Sequence, residues 1–139
     1  MSDPPAQFYH PFYLEIQREA QPTNKRSYGK ACEIRAAEYL CTKGYRILTA
    51  NYQRRCGEID LIAESPENVI VFVEVKARNS AAFGSAGGAV TRSKQQKIIR
   101  TAKQYIFEHR LGWQRDYRFD VILFENHTLE HIENAFNEF

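Results

Sequence analysis

The chain has 139 residues, of which 43% are hydrophobic and 26% charged, and its formal net charge at pH 7 is +2. These values are typical of one ordinary globular domain, and so small a net charge does not by itself indicate a nucleic-acid partner. No apolar run approaches the roughly 20 residues that span a bilayer, and the N-terminus lacks the features of a secretion signal, so a cytoplasmic protein without membrane contact is expected.

Residues 1–26 carry four of the five prolines, with aromatic residues scattered among polar ones. The segment shows no sustained hydrophobic period, which predicts a poorly ordered N-terminal arm followed by one domain over residues 27–139. The three cysteines, Cys32, Cys41 and Cys56, lack the close spacing of a zinc site and are interpreted as reduced thiols.

A first helix is predicted from Ser27, as its N-cap, to about Lys43, with Gly44 as its stop. At about 100° per residue, its apolar residues gather on one face, and Glu33 projects into the middle of that arc. An inward glutamate often lies at the rim of a core. It becomes a candidate site residue if other carboxylates lie near it.

Three strands are predicted next, and the second and third carry acidic residues inside apolar runs. A strand over Tyr45 to Arg54 leads to GEIDLIA from Gly57, and then to VIVFVEVKA after a turn at Ser65 to Asn68. Side chains alternate between faces along a strand, so a hairpin would bring Asp60, Glu74 and Lys76 together. Charges buried in this way require a partner or a metal, and a structural ion pair is the simpler alternative.

The segment from Arg78 to Gly88 is rich in Gly, Ala and Ser, but GSAGGA matches no phosphate-binding fingerprint, which favours a plain loop. A second helix is predicted from about Thr91 to His109. Apolar residues occupy one face, and the rest carries five cations without an intervening acid, which indicates an anionic partner such as nucleic acid. These residues are Arg92, Lys94, Lys97, Arg100 and Lys103.

A fourth strand, YRFDVILFE, is predicted over Tyr117 to Glu125, and its Arg118 and Asp120 share a face where they can pair. A short closing element, HIENAFNEF, is expected to cover the sheet with its aromatic residues. His127 and His131 are interpreted as surface histidines rather than as metal ligands.

The order helix, three strands, helix, strand makes the third and fourth strands parallel, giving an α/β fold with a mixed sheet. With an acid on the second strand and Glu-x-Lys on the third, the chain resembles the PD-(D/E)XK nuclease superfamily, and within it the archaeal Holliday junction resolvases. GEIDLIA, VFVEVKAR, AVTRSKQQK, RFDV and HIENAF further resemble the YraN family of uncharacterised bacterial proteins, over about Tyr28 to Phe136. That resemblance implies a restriction-endonuclease-like αβββαβ core. One departure is Cys32, where many members of that family have glycine.

The resemblance implies a metal-dependent nuclease, cutting internally or from an end, that hydrolyses phosphodiester bonds in DNA rather than RNA. Its substrates would include branched recombination or repair intermediates. Asp60 and Glu74 would hold Mg²⁺ or Mn²⁺ with the backbone carbonyl of Val75. Glu33 would bind a second metal or a metal-bound water, and Lys76 would orient the attacking water. The five cations of the second helix would contact the phosphate backbone, and a homodimer is a candidate assembly.

Two other function classes stay open from the sequence. A non-catalytic nucleic-acid-binding or assembly module could keep the nuclease fold and use the acids and Lys76 as a structural ion-pair cluster. A nucleotide-binding enzyme using the loop from Gly84 to Gly88 is disfavoured, because the fingerprint glycines are absent.

Overall fold

The structure is a computed structural model that describes residues 25–78, 90–126 and 128–137. Within these ranges, two helices and five strands follow one another in the order α1, β1, β2, β3, α2, β4, β5. The predicted αβββαβ order is therefore confirmed, with one further strand at the end. The bounds are α1 Lys25–Thr42, β1 Arg46–Arg54, β2 Gly57–Glu64, β3 Ile70–Arg78, α2 Arg92–Glu108, β4 Tyr117–Glu125 and β5 Thr128–Phe136.

The five strands form one mixed sheet in the order β1-β2-β3-β4-β5. β3 and β4 run parallel because α2 connects them, whereas the other neighbours are antiparallel. Each face of the sheet has its own apolar cluster. α1 packs with Leu61, Val71 and Val73 on one face, and α2 packs with Ile62 and Phe72 on the other. The alternation predicted for β3 is therefore confirmed.

α1 begins at Lys25 rather than at Ser27, so the prediction of Ser27 as the N-cap is wrong. Lys and Arg are better helix formers than Ser, and residues 25 and 26 extend the helix by two positions. The predicted C-terminus is correct to within one residue. Gly44 follows with φ +87°, a conformation that glycine adopts without strain.

The alternation predicted for β2 fails between Ile59 and Leu61. Ile59 belongs to the α2 cluster and Leu61 to the α1 cluster, although residues two positions apart on a strand normally share a face. In β1, Asn51 has φ 54° and lies between Ala50, which pairs with Leu61, and Tyr52, which pairs with Ile59. This left-handed residue turns the strand locally, so a strict period of two does not hold at this part of the sheet.

α2 lies close against the start of β2. A Cβ atom on Gly57 would stand 2.9 Å from Thr101 Oγ1 and 3.5 Å from the carbonyl oxygen of Lys97. Thr91 caps the N-terminus by accepting from Lys94 N at 3.2 Å, as predicted. At the other end, Arg54 donates two hydrogen bonds of 2.9 Å to the Glu108 carboxylate. These contacts fix the position of α2 along its axis and its rotation about that axis relative to the sheet.

The closing element is a nine-residue strand, β5, antiparallel to β4. Its Phe136 ring stacks on Phe119 at a centroid distance of 5.0 Å, so the predicted aromatic cover of the sheet is correct. Neither described helix is long and apolar enough to cross a membrane. The predicted N-terminal arm, apart from its last two residues, and the Gly84 to Gly88 loop lie outside the described residues.

Candidate active site

Charged side chains from four elements meet at the end of the sheet where β3 finishes. Glu33 comes from α1, Asp60 from β2, Glu74 from β3 and Lys94 from the first turn of α2. The structure thus brings together the three acidic residues that the sequence singled out. Lys76, the fourth predicted catalytic residue, is exposed two positions beyond Glu74. Its positive charge acts to lower the pKa of Glu74.

Asp60 is fixed where β2 and β3 separate. Their ladder ends at the pair Leu61↔Val73, and Asp60 Oδ2 then accepts a hydrogen bond from the backbone N–H of Val75 at 2.8 Å. The carboxylate replaces the strand carbonyl that would otherwise accept from this N–H group. Val75 continues to pair with Ile122 of β4 on its other side. Burial raises the pKa of Asp60, although the Val75 hydrogen bond acts in the opposite direction.

Glu33 reaches Asp60 from α1. Burial, followed by the charge of Asp60, raises the pKa of Glu33 to about 8. Near neutral pH the Glu33 carboxyl group, beside Asp60, is therefore mainly in its protonated form. Its Oε2 atom is buried and has no hydrogen-bond partner among the described residues. A buried oxygen of this kind is costly unless a ligand or water satisfies it.

Glu74 is 7% exposed and stands on the α2 face of β3. Burial, followed by the charge of Asp60, raises the pKa of Glu74 to about 8. Lys94 Nζ lies 3.8 Å from Glu74 Oε1. The ammonium groups of Lys94 and Lys76 both act to lower the pKa of Glu74 and so partly offset this increase. The exposed carboxylate of Glu58 adds to the negative charge.

The donor set suits a hard divalent cation. Mg²⁺ and Mn²⁺ prefer oxygen ligands and use few protein groups, because waters and substrate phosphates complete their coordination. Asp60 and Glu74 supply carboxylates whose mutual repulsion a cation would relieve, and the unsatisfied Oε2 of Glu33 lies beside them. Within the described ranges no group of three or more His, Cys, Asp or Glu side chains is placed to hold a metal ion. A cation at Asp60 and Glu74 would therefore need water or phosphate oxygens as its other ligands.

The inward position of Lys94 was not predicted from the sequence. It was assigned to the solvent face of α2, but it shares the spacing i, i+4, i+7, i+11 with Ile98, Thr101 and Tyr105, which are all buried. That spacing puts the four side chains on one row of a helix, so counting residues along the row would have found it. The other four predicted cations, Arg92, Lys97, Arg100 and Lys103, are exposed as expected.

A second polar cluster surrounds Asp120, near the N-terminal ends of β3 and β4. Asp120 is fully buried and accepts from Arg118 Nε and Nη2, both at 2.8 Å, and bonds with His131 Nε2 at 2.7 Å. The interpretation of His131 as a surface residue is therefore wrong, because its side chain is 7% exposed and its Nδ1 atom bonds with Tyr39 at 3.1 Å. The predicted pairing of Arg118 with Asp120 is confirmed. Every carboxylate contact here is internal, which indicates a structural cluster joining α1, β4 and β5.

Among solved structures, the chain has low similarity to a repair endonuclease from Pyrococcus abyssi. The match has a TM-score of 0.37 and 12% sequence identity, and it covers 77% of this chain and 42% of that one. At this TM-score the two chains share too little geometry for one to inform the activity of the other.

Comparison at the sequence level gives much stronger matches. A UPF0102 protein of Sulfurihydrogenibium is 46% identical over 114 residues, which cover 82% of this chain and 97% of that protein. The YraN protein of Escherichia fergusonii is 43% identical over 119 residues, which cover 85% of this chain and 89% of that protein. The model of the uncharacterised protein family UPF0102 matches residues 32–124, which include Glu33, Asp60, Glu74 and Lys94. The chain therefore belongs to UPF0102, the family of the YraN proteins.

Proposed function

We propose that this protein is a metal-dependent nuclease that hydrolyses phosphodiester bonds in DNA, with branched recombination or repair intermediates as its substrate class. One observation carries the proposal. Three carboxyl groups from three separate elements lie together, Glu74 buried and Glu33 and Asp60 partly buried, with one inward lysine, beside a helix whose outer face is basic. A fold that needed only a structural ion pair would not place three acids against one inward lysine.

Asp60 and Glu74 would hold Mg²⁺ or Mn²⁺ together with the carbonyl oxygen of Val75. A bound divalent cation would lower the pKa of a water and neutralise charge on the phosphate. The Val75 N–H holds Asp60 in one orientation, so the carboxylate is ready before any ligand arrives. Glu33 would take a second cation or hold a water at its free oxygen.

Two lysines have separate tasks in this proposal. Lys76 is exposed at the mouth of the site, where its ammonium group would orient the attacking water or stabilise charge on the phosphate. Lys94, 3.8 Å from Glu74, would balance the charge of that carboxyl group when it ionises. Arg92, Lys97, Arg100 and Lys103 would contact phosphates along the substrate, giving affinity without reading the base sequence.

A second candidate function is a nucleic-acid-binding module that keeps this fold without catalysis. The 3.8 Å approach of Lys94 to Glu74 and the raised pKa of Glu33 favour it, because both reduce the negative charge of the cluster within the protein. This function predicts salt-sensitive binding of nucleic acid that does not depend on divalent cations. It also predicts that neutralising the acids leaves binding unchanged.

The experiment that tests the proposal measures metal binding and cleavage with the same variants. Mg²⁺ and Mn²⁺ are titrated by calorimetry into the wild type, Asp60→Asn and Glu74→Gln, with and without a DNA junction. Each protein is then incubated with labelled duplex, junction and single-stranded DNA. We expect saturable binding and cation-dependent cleavage in the wild type, and neither in the two variants.

Glu67→Gln is a matched control, because Glu67 is an exposed carboxylate on the turn between β2 and β3. It should bind metal and cut DNA as the wild type does. Nucleic-acid binding that is identical with EDTA and with Mg²⁺, without cleavage in any protein, would support the non-catalytic module and overturn the nuclease proposal.

A further inference from the structure

The outer face of α2 carries an aromatic residue near the C-terminus of the helix, about one turn beyond its last cation. Phe107 is 82% exposed, and in the described part of the chain only Trp113, at 62%, is another exposed large apolar side chain. The opposite face of α2 is buried through Ile98, Ala102 and Ile106. Phe107 therefore contributes nothing to the packing of α2 on the sheet.

Phe107 belongs to a row of exposed side chains. Arg100 and Lys103 lie seven and four residues before it, and at 100° per residue all three project within about 60° of one another. Arg92 and Gln96 extend the same row toward the N-terminus of the helix. A ring that follows cations on one row is a surface for a ligand with both flat apolar faces and negative charges.

The row lies on the side of α2 that faces away from the candidate active site. Lys94, in the first turn of α2, lies 3.8 Å from Glu74 and 13 positions before Phe107. At about 1.5 Å and 100° per residue, the ring lies roughly 20 Å along the helix from Lys94 and about 140° around it. A strand bound along the row would therefore lie on the outer surface of α2.

We propose that α2 binds a single-stranded segment of nucleic acid, with Phe107 stacking on an unpaired base while Arg100 and Lys103 contact the flanking phosphates. Bases inside a duplex already stack on their neighbours and present no free face, whereas bases of a single strand do. The cations alone would bind either duplex or single-stranded nucleic acid, so the Phe107 ring would give the preference for a single strand. The inference rests on the proposed function in one respect, namely that the anionic partner of α2 is a nucleic acid.

The test measures binding in EDTA, so that cleavage plays no part. Fluorescence anisotropy is recorded with a labelled dT12 strand, the same strand with abasic sites, and a labelled duplex. The proteins are the wild type, Phe107→Leu, Phe107→Tyr and Arg100→Gln. Phe107 is exposed, so Leu or Tyr at this position leaves the core intact and all four proteins should fold.

We expect the wild type to bind dT12 more tightly than duplex or abasic strand. Phe107→Leu should weaken dT12 binding about tenfold and leave the other two ligands unchanged, whereas Phe107→Tyr should retain wild-type affinity. Arg100→Gln should weaken all three ligands and reduce the salt dependence of binding, because it removes a phosphate contact and not a base contact.

A direct signal of stacking is also available, because the chain has a single tryptophan, Trp113. In the double variant Phe107→Trp, Trp113→Phe, the indole at position 107 should lose fluorescence when dT12 binds, but not when the abasic strand binds. Such quenching reports contact between the ring and a base.

Several results would overturn the inference. Equal binding of dT12 by the wild type and Phe107→Leu, or a preference for duplex, removes the stacking role while leaving the nuclease proposal intact. A change in self-association with Phe107→Leu, without a change in dT12 binding, would assign the ring to a second copy of the chain. Failure of the wild type to bind any of the three ligands would overturn the nucleic-acid partner itself, and the proposed function with it.

Discussion

Asp60 Oδ2 accepts a hydrogen bond from the backbone N–H of Val75 at 2.8 Å, so a carboxylate completes the sheet where β2 leaves β3. Asp60→Asn keeps an acceptor of the same shape, whereas Asp60→Ala leaves the Val75 N–H without one. We expect Asp60→Ala to lower the free energy of unfolding by about 1–3 kcal/mol relative to Asp60→Asn. Urea unfolding of the two variants measures this difference directly. Equal stability would show that the hydrogen bond contributes nothing.

The pH dependence of stability should report the buried carboxyl groups. The pKa of Glu74 in the folded protein, about 8, is above its ordinary value of 4.5, so folding favours the protonated form. Its contribution to stability is present below pH 4.5 and is lost as the pH rises through about 8. Glu74→Gln, which cannot ionise, should therefore be more stable than the wild type at pH 9 by at least about 1 kcal/mol, since one pKa unit corresponds to about 1.4 kcal/mol.

Thermal unfolding at pH 5 and pH 9 checks this expectation. At pH 5 the two proteins should differ little, because Glu74 is protonated in the folded wild type. The charged neighbours that act on Glu74 are Asp60, Glu58, Lys94 and Lys76, and all four are unchanged in the variant. A variant that is less stable than the wild type at both pH values would contradict the direction of the pKa change.

Lys94 and Lys97 offer a matched pair on one helix, because Lys94 faces Glu74 and Lys97 is exposed. Lys94→Gln removes the inward cation from a buried carboxylate, so we expect a loss of about 1 kcal/mol in stability at pH 8. Lys97→Gln should leave stability within about 0.5 kcal/mol of the wild type and weaken DNA binding instead. Chemical denaturation and DNA titration of both variants separate the two roles. Identical behaviour of the two lysines would place Lys94 on the outer face.

Asp120 should be essential for folding rather than for chemistry. Burial acts to raise the pKa of Asp120. Hydrogen bonds from His131, Arg118 and the Asn134 backbone outweigh burial, so the pKa is lowered. Its contribution to stability is therefore present above pH 3.8 and is lost as the pH falls through the lower pKa of the folded state. Asp120→Asn leaves Arg118 without its charged partner and should cost about 3 kcal/mol in urea unfolding at pH 7.

Glu133→Gln is the control for this cluster. Glu133 stands 3.8 Å from Arg118 and its side chain is 59% exposed, so its removal should change stability by less than about 1 kcal/mol. If Asp120→Asn folds as stably as Glu133→Gln but loses metal-dependent cleavage, Asp120 belongs to the chemistry instead.

The sequence predicted the element order and the three acids because both depend on local patterns. The apolar alternation of β3 continues through Glu74, and a helical count placed Glu33 on the inward arc of α1. Both patterns repeat over several residues, so an interruption by a charged side chain is visible. The turn between β2 and β3 was equally clear, with Asn68 N bonded to Ser65 O at 2.9 Å.

Other features depend on contacts between distant parts of the chain. His131 is buried because Asp120 and Tyr39 converge on it from β4 and α1, and nothing in its neighbouring residues reveals this. The turn of β1 at Asn51 depends on a backbone angle that the alternation of side chains does not encode. The inward position of Lys94 was readable from its spacing, but it was masked by four other cations on the same helix.

The close contact between Gly57 and α2 sets the rotational phase of that helix. Because Thr101 Oγ1 occupies the space a Cβ of Gly57 would need, α2 can approach the sheet with only one of its rows facing inward. Successive residues differ by about 100°, so one residue inserted between Lys94 and Thr101 would turn Lys94 away from Glu74 and carry another side chain to the acids. Gly57 has no reactive group, yet its contact with α2 determines that Lys94 faces the acidic cluster and that Phe107 is exposed to solvent.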